Sequence, residues 1–277
     1  MKKKRFWNVI TMLVQMTLGI LFLSPLIWMV SASLKENRDI FKNINHLTTF
    51  IPKNITMSNY SEMLERSNMI GIILFSMLYI SIVIVGGLIV NLLAGYAIAR
   101  LNFKGRKLIL GLILAFYIVP FETTVLPLYL VCNKMSITNT IWALCLPFVA
   151  DCFNIFLFKQ FFEGFPKDLN EAAAIDGCGI LGTFVKIVIP NSLPIMATSI
   201  VLTIVSRWSD FMWPLMAVTD PKLRTVQLGI QIFFTDPPIK YGPIMAALVF
   251  TTLPIILIFL FLQKYYVQGV TSSGIKG

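Results

Sequence analysis

The stretch SNMIGIILFSMLYISIVIVGGLIVNLLAGYAIA (Ser67–Ala99) contains no Asp, Glu, Lys or Arg. A helix of about 20 apolar residues crosses the hydrocarbon core of a bilayer, so this run is long enough to span one. Similar runs lie on both sides of it. Phe6–Leu34, Ile187–Ser206 and Tyr241–Gln263 carry no charge, Leu108–Asn133 carries only Glu122, and Met135–Phe158 carries only Asp151. The reading is an all-α integral membrane protein with six transmembrane helices in one domain, 1–277. The spans are expected at about 8–33, 69–99, 108–131, 138–160, 189–214 and 242–263.

Composition agrees. The 277 residues are 57% hydrophobic and 13% charged, about half the charge of a soluble domain. Mean hydropathy is +0.79. A soluble globule of this composition would expose large apolar patches, so the bilayer must be part of the solvent. Disordered and coiled-coil classes fall with the same numbers. The net charge of +10 does not point to nucleic acid, because the basic residues cluster beside apolar runs and form no stripe that could follow phosphates. Cys132, Cys145, Cys152 and Cys178 form no C-x-x-C pair, and His46 is the single histidine. No metal site, cofactor or catalytic triad is expected from such a set.

Charge placement gives an orientation. Lys2–Arg5 and Arg100–Lys107 are short and dense, whereas the turn 134–139 has one lysine. The positive-inside rule weighs such short flanks most, so N-in/C-in is expected. The basic start followed by an apolar run and Ser31-Ala32-Ser33 has the outline of a signal peptide. The run far exceeds a signal h-region of about 7–15 residues, and an uncleaved first span is expected. Residues 34–68 then form an extracellular segment, and 163–190 lie in the one long inside loop.

That loop holds an unusual pattern. Pro166-Lys167-Asp168-Leu169-Asn170 has helix-start character. Glu171-Ala172-Ala173-Ala174-Ile175-Asp176 continues it with small residues, and Gly177 and Gly179 can end it with positive φ. A second short segment, Ile180 to Val188, leads to Pro190. The expected object is two short helices joined by a glycine bend on the cytoplasmic face.

Glu171, Ala172, Ala173, Asp176, Gly177, Phe184 and Ile189-Pro190 together resemble the EAA loop of binding-protein-dependent ABC importer permeases. Pro120-Phe-Glu122-Thr-Thr-Val-Leu-Pro127, Trp208-Ser-Asp210-Phe-Met-Trp213-Pro214, Tyr241-Gly-Pro243 and the tail from Gln263 to Gly277 resemble the carbohydrate-uptake branch, in particular its maltose-type second permease. The likeness runs through nearly the whole chain. It departs at Glu122, where an amide is expected, and at Asp210, where Asn is commoner. The resemblance implies a coupling helix at Glu171–Gly177 that docks on a cytosolic ATPase. It also implies a homologous permease partner (a heterodimer), two ATPase subunits, an extracellular sugar-binding protein and a bacterial inner-membrane location. The chain has no G-x-x-x-x-G-K-[ST] phosphate loop, so ATP hydrolysis falls to another polypeptide.

Ionisable residues inside a membrane are candidates for the substrate path. Glu122 lies between Pro120 and Pro127, where span three is expected to kink. Asp151 and Asn154, three apart, share a helical face of span four. Trp208, Asp210 and Trp213 combine aromatic faces with a carboxylate, a set that suits a sugar, although an interfacial aromatic belt explains the two Trp equally well. Arg207 and Asp210 are spaced for an intrahelical ion pair. The expected function is the membrane subunit of an ATP-driven sugar importer, with glycerol-3-phosphate or a polyol as a substrate alternative. An ion-coupled carrier using Asp151 or Glu122 leaves the Glu171–Pro190 pattern unexplained, and a structural subunit would not need the glycine bend. An enzyme has no nucleophile, metal or acid–base set to work with.

Overall fold

The computed structural model describes residues 2–42, 46–166 and 177–274. In chain order the helices are α1 (Lys2–Ser33), α2 (Ser58–Arg66), α3 (Met69–Arg100), α4 (Arg106–Ile118), α5 (Phe121–Lys134), α6 (Ile141–Cys145) and α7 (Cys152–Glu163). They continue as α8 (Ile180–Asn191), α9 (Leu193–Trp208), α10 (Met212–Ala217), α11 (Val226–Thr235) and α12 (Tyr241–Gly274). No strand occurs among the described residues. Among the described residues four stretches are long and apolar enough to cross a membrane by themselves: Phe6–Ser33, Met69–Arg100, Ile141–Glu163 and Tyr241–Phe261.

The other two expected spans fall on pairs of helices with a sharp bend between them. α4 and α5 meet at 107°, where a kink was expected. The chain breaks at Val119, which is extended (φ −71°, ψ 122°) because the ring of Pro120 excludes the helical region for the residue before it. α5 then runs on through Pro127 without a break. Span five, expected as one helix over 189–214, is instead α8 and α9 meeting at 74°. Ser192 leaves helical geometry there (φ −96°, ψ 3°), between Pro190 and Pro194, whose missing N–H groups weaken the ladder on both sides. The span also stops at Trp208, and 212–217 form a separate helix. α11 lies in the connection 218–240, between α10 and α12.

Prolines within continuous helices are compensated locally. Pro25 in α1 cannot bond the carbonyl of Leu21, and Ser24 Oγ donates to that oxygen at 2.8 Å instead.

The chain divides into two compact units. The first comprises Met1–Ile70 with Gly229–Pro254. Its centre is Asn59 on α2, whose amide donates to the carbonyls of Ser33 (2.8 Å) and Lys35 (2.7 Å) and so satisfies the C-terminal end of α1. The start of α12 packs on this amide closely enough that a Cβ at Gly242 would fall 2.1 Å from Asn59 Oδ1. Glu62 pairs with Lys240 at 3.0 Å, and Phe41 meets Tyr241 edge-on at 4.9 Å.

The second unit comprises Gly71–Leu228 with Ile255–Gly277. Here α3 and α7 approach backbone to backbone at Gly95. A small residue at a helix crossing is the usual means of close packing in a membrane. Next to it lies a core of Leu92, Tyr96, Ala99, Phe158, Phe162, Phe184 and Val188.

Candidate functional site

Two places in the second unit carry polar chemistry inside an apolar helical body. The first is a cavity of about 250 Å³ between α3, α7 and α9, with Asn91, Asp151, Asn154, Ser199, Thr203 and Arg207 among its lining residues. Its polar groups follow from helix ends. Span four is interrupted after the turn Leu146–Phe148, so α7 begins anew at Cys152 and needs an N-cap. Asp151 supplies it, its Oδ1 accepting from Asn154 N at 2.7 Å, and negative charge is favoured at that end of a helix. The backbone N–H of Asp151 donates to Asn91 Oδ1 at 3.0 Å, and Ser199 Oγ donates to Asn154 Oδ1 at 2.7 Å. A polar chain therefore runs Asn91–Asp151–Asn154–Ser199 across three helices. The NH2 groups of Asn91 and Asn154 are left over from these bonds as donors.

At the cavity's other side Arg207 is tightly held. Nη1 donates to Asp210 Oδ2 at 2.9 Å, Nη2 donates to Ser206 Oγ at 3.0 Å, and the guanidinium lies 3.7 Å from the centre of the Phe148 ring. Asp210 Oδ1 also accepts from Trp213 N at 3.3 Å. The ion pair expected from the i,i+3 spacing is thus formed, although Asp210 sits just beyond the end of α9.

The sequence-derived candidates separate. Asp151 and Asn154 line the cavity. Asp210 reaches it only through Arg207. Trp208 and Trp213 are 5% and 1% exposed. Trp213 Nε1 donates to Ala143 O at 2.9 Å, and its ring meets Phe148 edge-on, so both indoles are interior packing groups here rather than a sugar platform or an interfacial belt. Glu122 is exposed in the first turn of α5 and does not line the cavity. Sequence reasoning missed Asn91, Ser199 and Thr203. The available signal was an amide or hydroxyl inside otherwise apolar runs.

The second place is the base of the 163–190 loop. Glu171, Ala172, Ala173 and Asp176 lie outside the described residues. Gly177 has φ +77°, the left-handed conformation expected of the bend. After it, Ile180–Thr183 continues through a π turn, Phe184–Val188, into Pro190. Phe184 is buried against Tyr96, with ring centres 5.0 Å apart. On the incoming side Phe162 meets the same Tyr96 edge-on at 5.6 Å, and Arg100 donates to the carbonyl of Phe165. Glu163 pairs with Lys159 at 2.7 Å and with Arg106 at 3.8 Å. Both ends of the loop therefore bear on the last turns of α3. Among the described residues no His/Cys/Asp/Glu group could hold a metal.

The sequence pattern of the family described as "Binding-protein-dependent transport system inner membrane component" matches residues 91–272. The chain is 32% identical to the arabinooligosaccharides transport system permease protein AraQ of Halalkalibacterium halodurans, over 95% of this chain and 96% of that one. It is 31% identical to the trehalose/maltose transport system permease protein MalG of Thermococcus litoralis, over 94% of each. Among solved structures it superposes with TM-score 0.81 and 20% identity on a bacterial ABC transporter involved in the import of the acidic polysaccharide alginate, covering 96% of this chain and 98% of the other. That likeness establishes the fold. With relatives at this identity along nearly the whole length, the chain belongs to the inner-membrane components of binding-protein-dependent transport systems: a multi-pass permease subunit of an ABC importer, and not an enzyme.

Proposed function

We propose that this subunit translocates a sugar or oligosaccharide by alternating access, with six spans and both termini in the cytoplasm. The observation that carries the substrate class is the polar cavity: amide, hydroxyl and carboxylate groups in spans that are otherwise apolar are the set a polyhydroxyl compound requires. Arg207 is already neutralised by Asp210, and Asp151 adds a carboxylate. An anionic substrate meets no spare positive charge there among the described residues. This favours a neutral sugar over a phosphate ester, even though a glycerol-3-phosphate permease of Yersinia enterocolitica is also 32% identical over 73% of the chain. At about 250 Å³ the cavity falls below the roughly 300 Å³ at which small-molecule sites begin, as a half-site completed by a second permease subunit would. The exposed apolar length of α1 is likewise suited to cover by such a partner or by lipid.

The motor is a pair of cytosolic ATPases docked on Glu171–Gly177, and an extracellular sugar-binding protein delivers the substrate. The small side chains of Ala172 and Ala173 permit close approach, and the Glu171 carboxylate offers a charge for a basic ATPase residue. The test is capture of the co-expressed ATPase by wild type, Glu171→Lys and Gly177→Val. Among the described residues no atom lies within 4 Å of a Cβ at Gly177, and valine is strained there by the positive φ. Loss of capture by both variants, with normal membrane insertion, is the expected result. Equal capture by all three refutes the coupling assignment.

A further inference from the structure

The first unit holds two cavities at the end of α1 that the transport reading leaves unused. One is polar, about 210 Å³, and is lined by Lys35, Asp39, Lys42, Thr48, Lys53 and Asn54 among others. Asp39 neutralises Lys42 at 2.6 Å, which leaves Lys35 and Lys53. Lys35 is only 6% exposed, and its ammonium donates to the backbone carbonyl of Thr49. No carboxylate lies within ion-pair distance of it among the described residues, and Asp39, the acid whose charge acts on it, is already bonded to Lys42. Burial lowers the Lys35 pKa against the opposing pull of Asp39. The other cavity is an apolar groove of about 350 Å³, lined by Leu26, Ile27, Val30, Leu34, Phe50 and Pro52. Residues 48–54 run between the two, giving Phe50 and Pro52 to the groove and Thr48, Lys53 and Asn54 to the polar side. Lys35 follows the apolar helix end at Ser33 by two residues, which is the depth at which hydrocarbon gives way to head groups.

We infer that the two cavities form one site for an anionic phospholipid, its phosphate among Lys35 and Lys53 and an acyl chain along the groove on α1. The carbonyl end of α1 also favours a cation at Lys35, but it accounts for neither Lys53 nor the adjoining groove. A phosphate could equally come from a soluble anion, and the groove is what selects the lipid.

The test uses the purified full-length chain in detergent supplied with phosphatidylglycerol or with phosphatidylcholine of the same acyl chains, and retained lipid is read by native mass spectrometry. Phosphatidylglycerol should be retained in preference. Lys53→Glu and Lys35→Met should each weaken retention by about fivefold or more, the worth of one lysine at an anionic surface. Val30→Trp, which fills the groove and leaves the lysines intact, should weaken it as well. Lys53 is exposed, so its variant keeps the test decidable if Lys35→Met misfolds. Equal retention of the two lipids, or retention unchanged in Lys53→Glu, overturns the inference. Full displacement by millimolar inorganic phosphate makes this a soluble-anion site and also overturns it. So does a Lys53→Glu variant that keeps its lipid but loses capture by an acidic binding protein.

Discussion

The same chemical change at two glycines should have opposite signs. Gly95 and Gly111 both lie inside helices, so replacing either with alanine gains about 0.5–1 kcal/mol of helical preference. At Gly111 nothing among the described residues lies within 4 Å of the added carbon, and that gain stands alone. At Gly95 the added carbon meets Phe158 Cβ at 2.7 Å, Lys159 N at 3.0 Å and Ile155 O at 3.1 Å. Two of these are backbone atoms of α7, so relief requires the helices to part, and overpacking of that kind costs about 1–3 kcal/mol. The net expectation for Gly95→Ala is a loss of about 1.5 kcal/mol. For a chain of this size that is a fall of roughly 3–6 °C in the melting midpoint, against a small rise for Gly111→Ala. Thermal unfolding in one detergent, followed by intrinsic tryptophan fluorescence, makes the comparison. A Gly95→Ala midpoint at or above that of Gly111→Ala would refute the close α3–α7 crossing.

Two further outcomes follow from single contacts. Asn154→Leu removes the acceptor of Ser199 Oγ inside the body of the protein and should cost about 1–3 kcal/mol; uptake of the transported sugar should fall by more than that stability loss explains, whereas unchanged uptake would remove Asn154 from the path. The folded-state pKa of Lys35 is lowered by burial, so between that value and the unfolded 10.5 the unfolded chain binds more protons. Stability contributed at this site should therefore rise with pH through that window, and the slope should be smaller in Lys35→Met; equal slopes in melts across pH 8 to 10.5 would contradict the burial.

The spans were legible because they rest on composition: thirty or so uncharged residues have few alternatives in water. Their breaks were less so. Pro120 announced a disturbance, but a proline in a membrane helix is compatible with a bend of any size, as Pro25, Pro127 and Pro254 inside continuous helices illustrate. The chain turns by 107° before Pro120 and runs unbroken through Pro127, so the presence of a proline does not by itself set the angle. Tryptophan was ambiguous for a related reason. Its side chain suits a sugar face, a membrane belt or a core, and only the bond from Trp213 to Ala143 O decides for the core. The loop pattern from Glu171 to Pro190 was read from residue types at fixed spacing, and of it Gly177, Phe184 and Pro190 fall within the described residues.

The cavity's polar groups also answer a question about how such a chain can change substrate. Asn91, Asp151 and Ser199 are engaged in bonds that begin α7 and tie three helices together, so replacing them alters helix packing along with the cavity. Thr203 and Ser206 have a different standing: Thr203 Oγ1 bonds back within α9, to the carbonyl of Ser199, and Ser206 Oγ accepts from its neighbour Arg207. These bonds stay within one helix, and a hydroxyl that caps nothing can be exchanged without unbuilding an end. Variation in substrate preference among chains with this fold should therefore collect on that face of α9, while Asn91 and Asp151 hold the frame against which it is read.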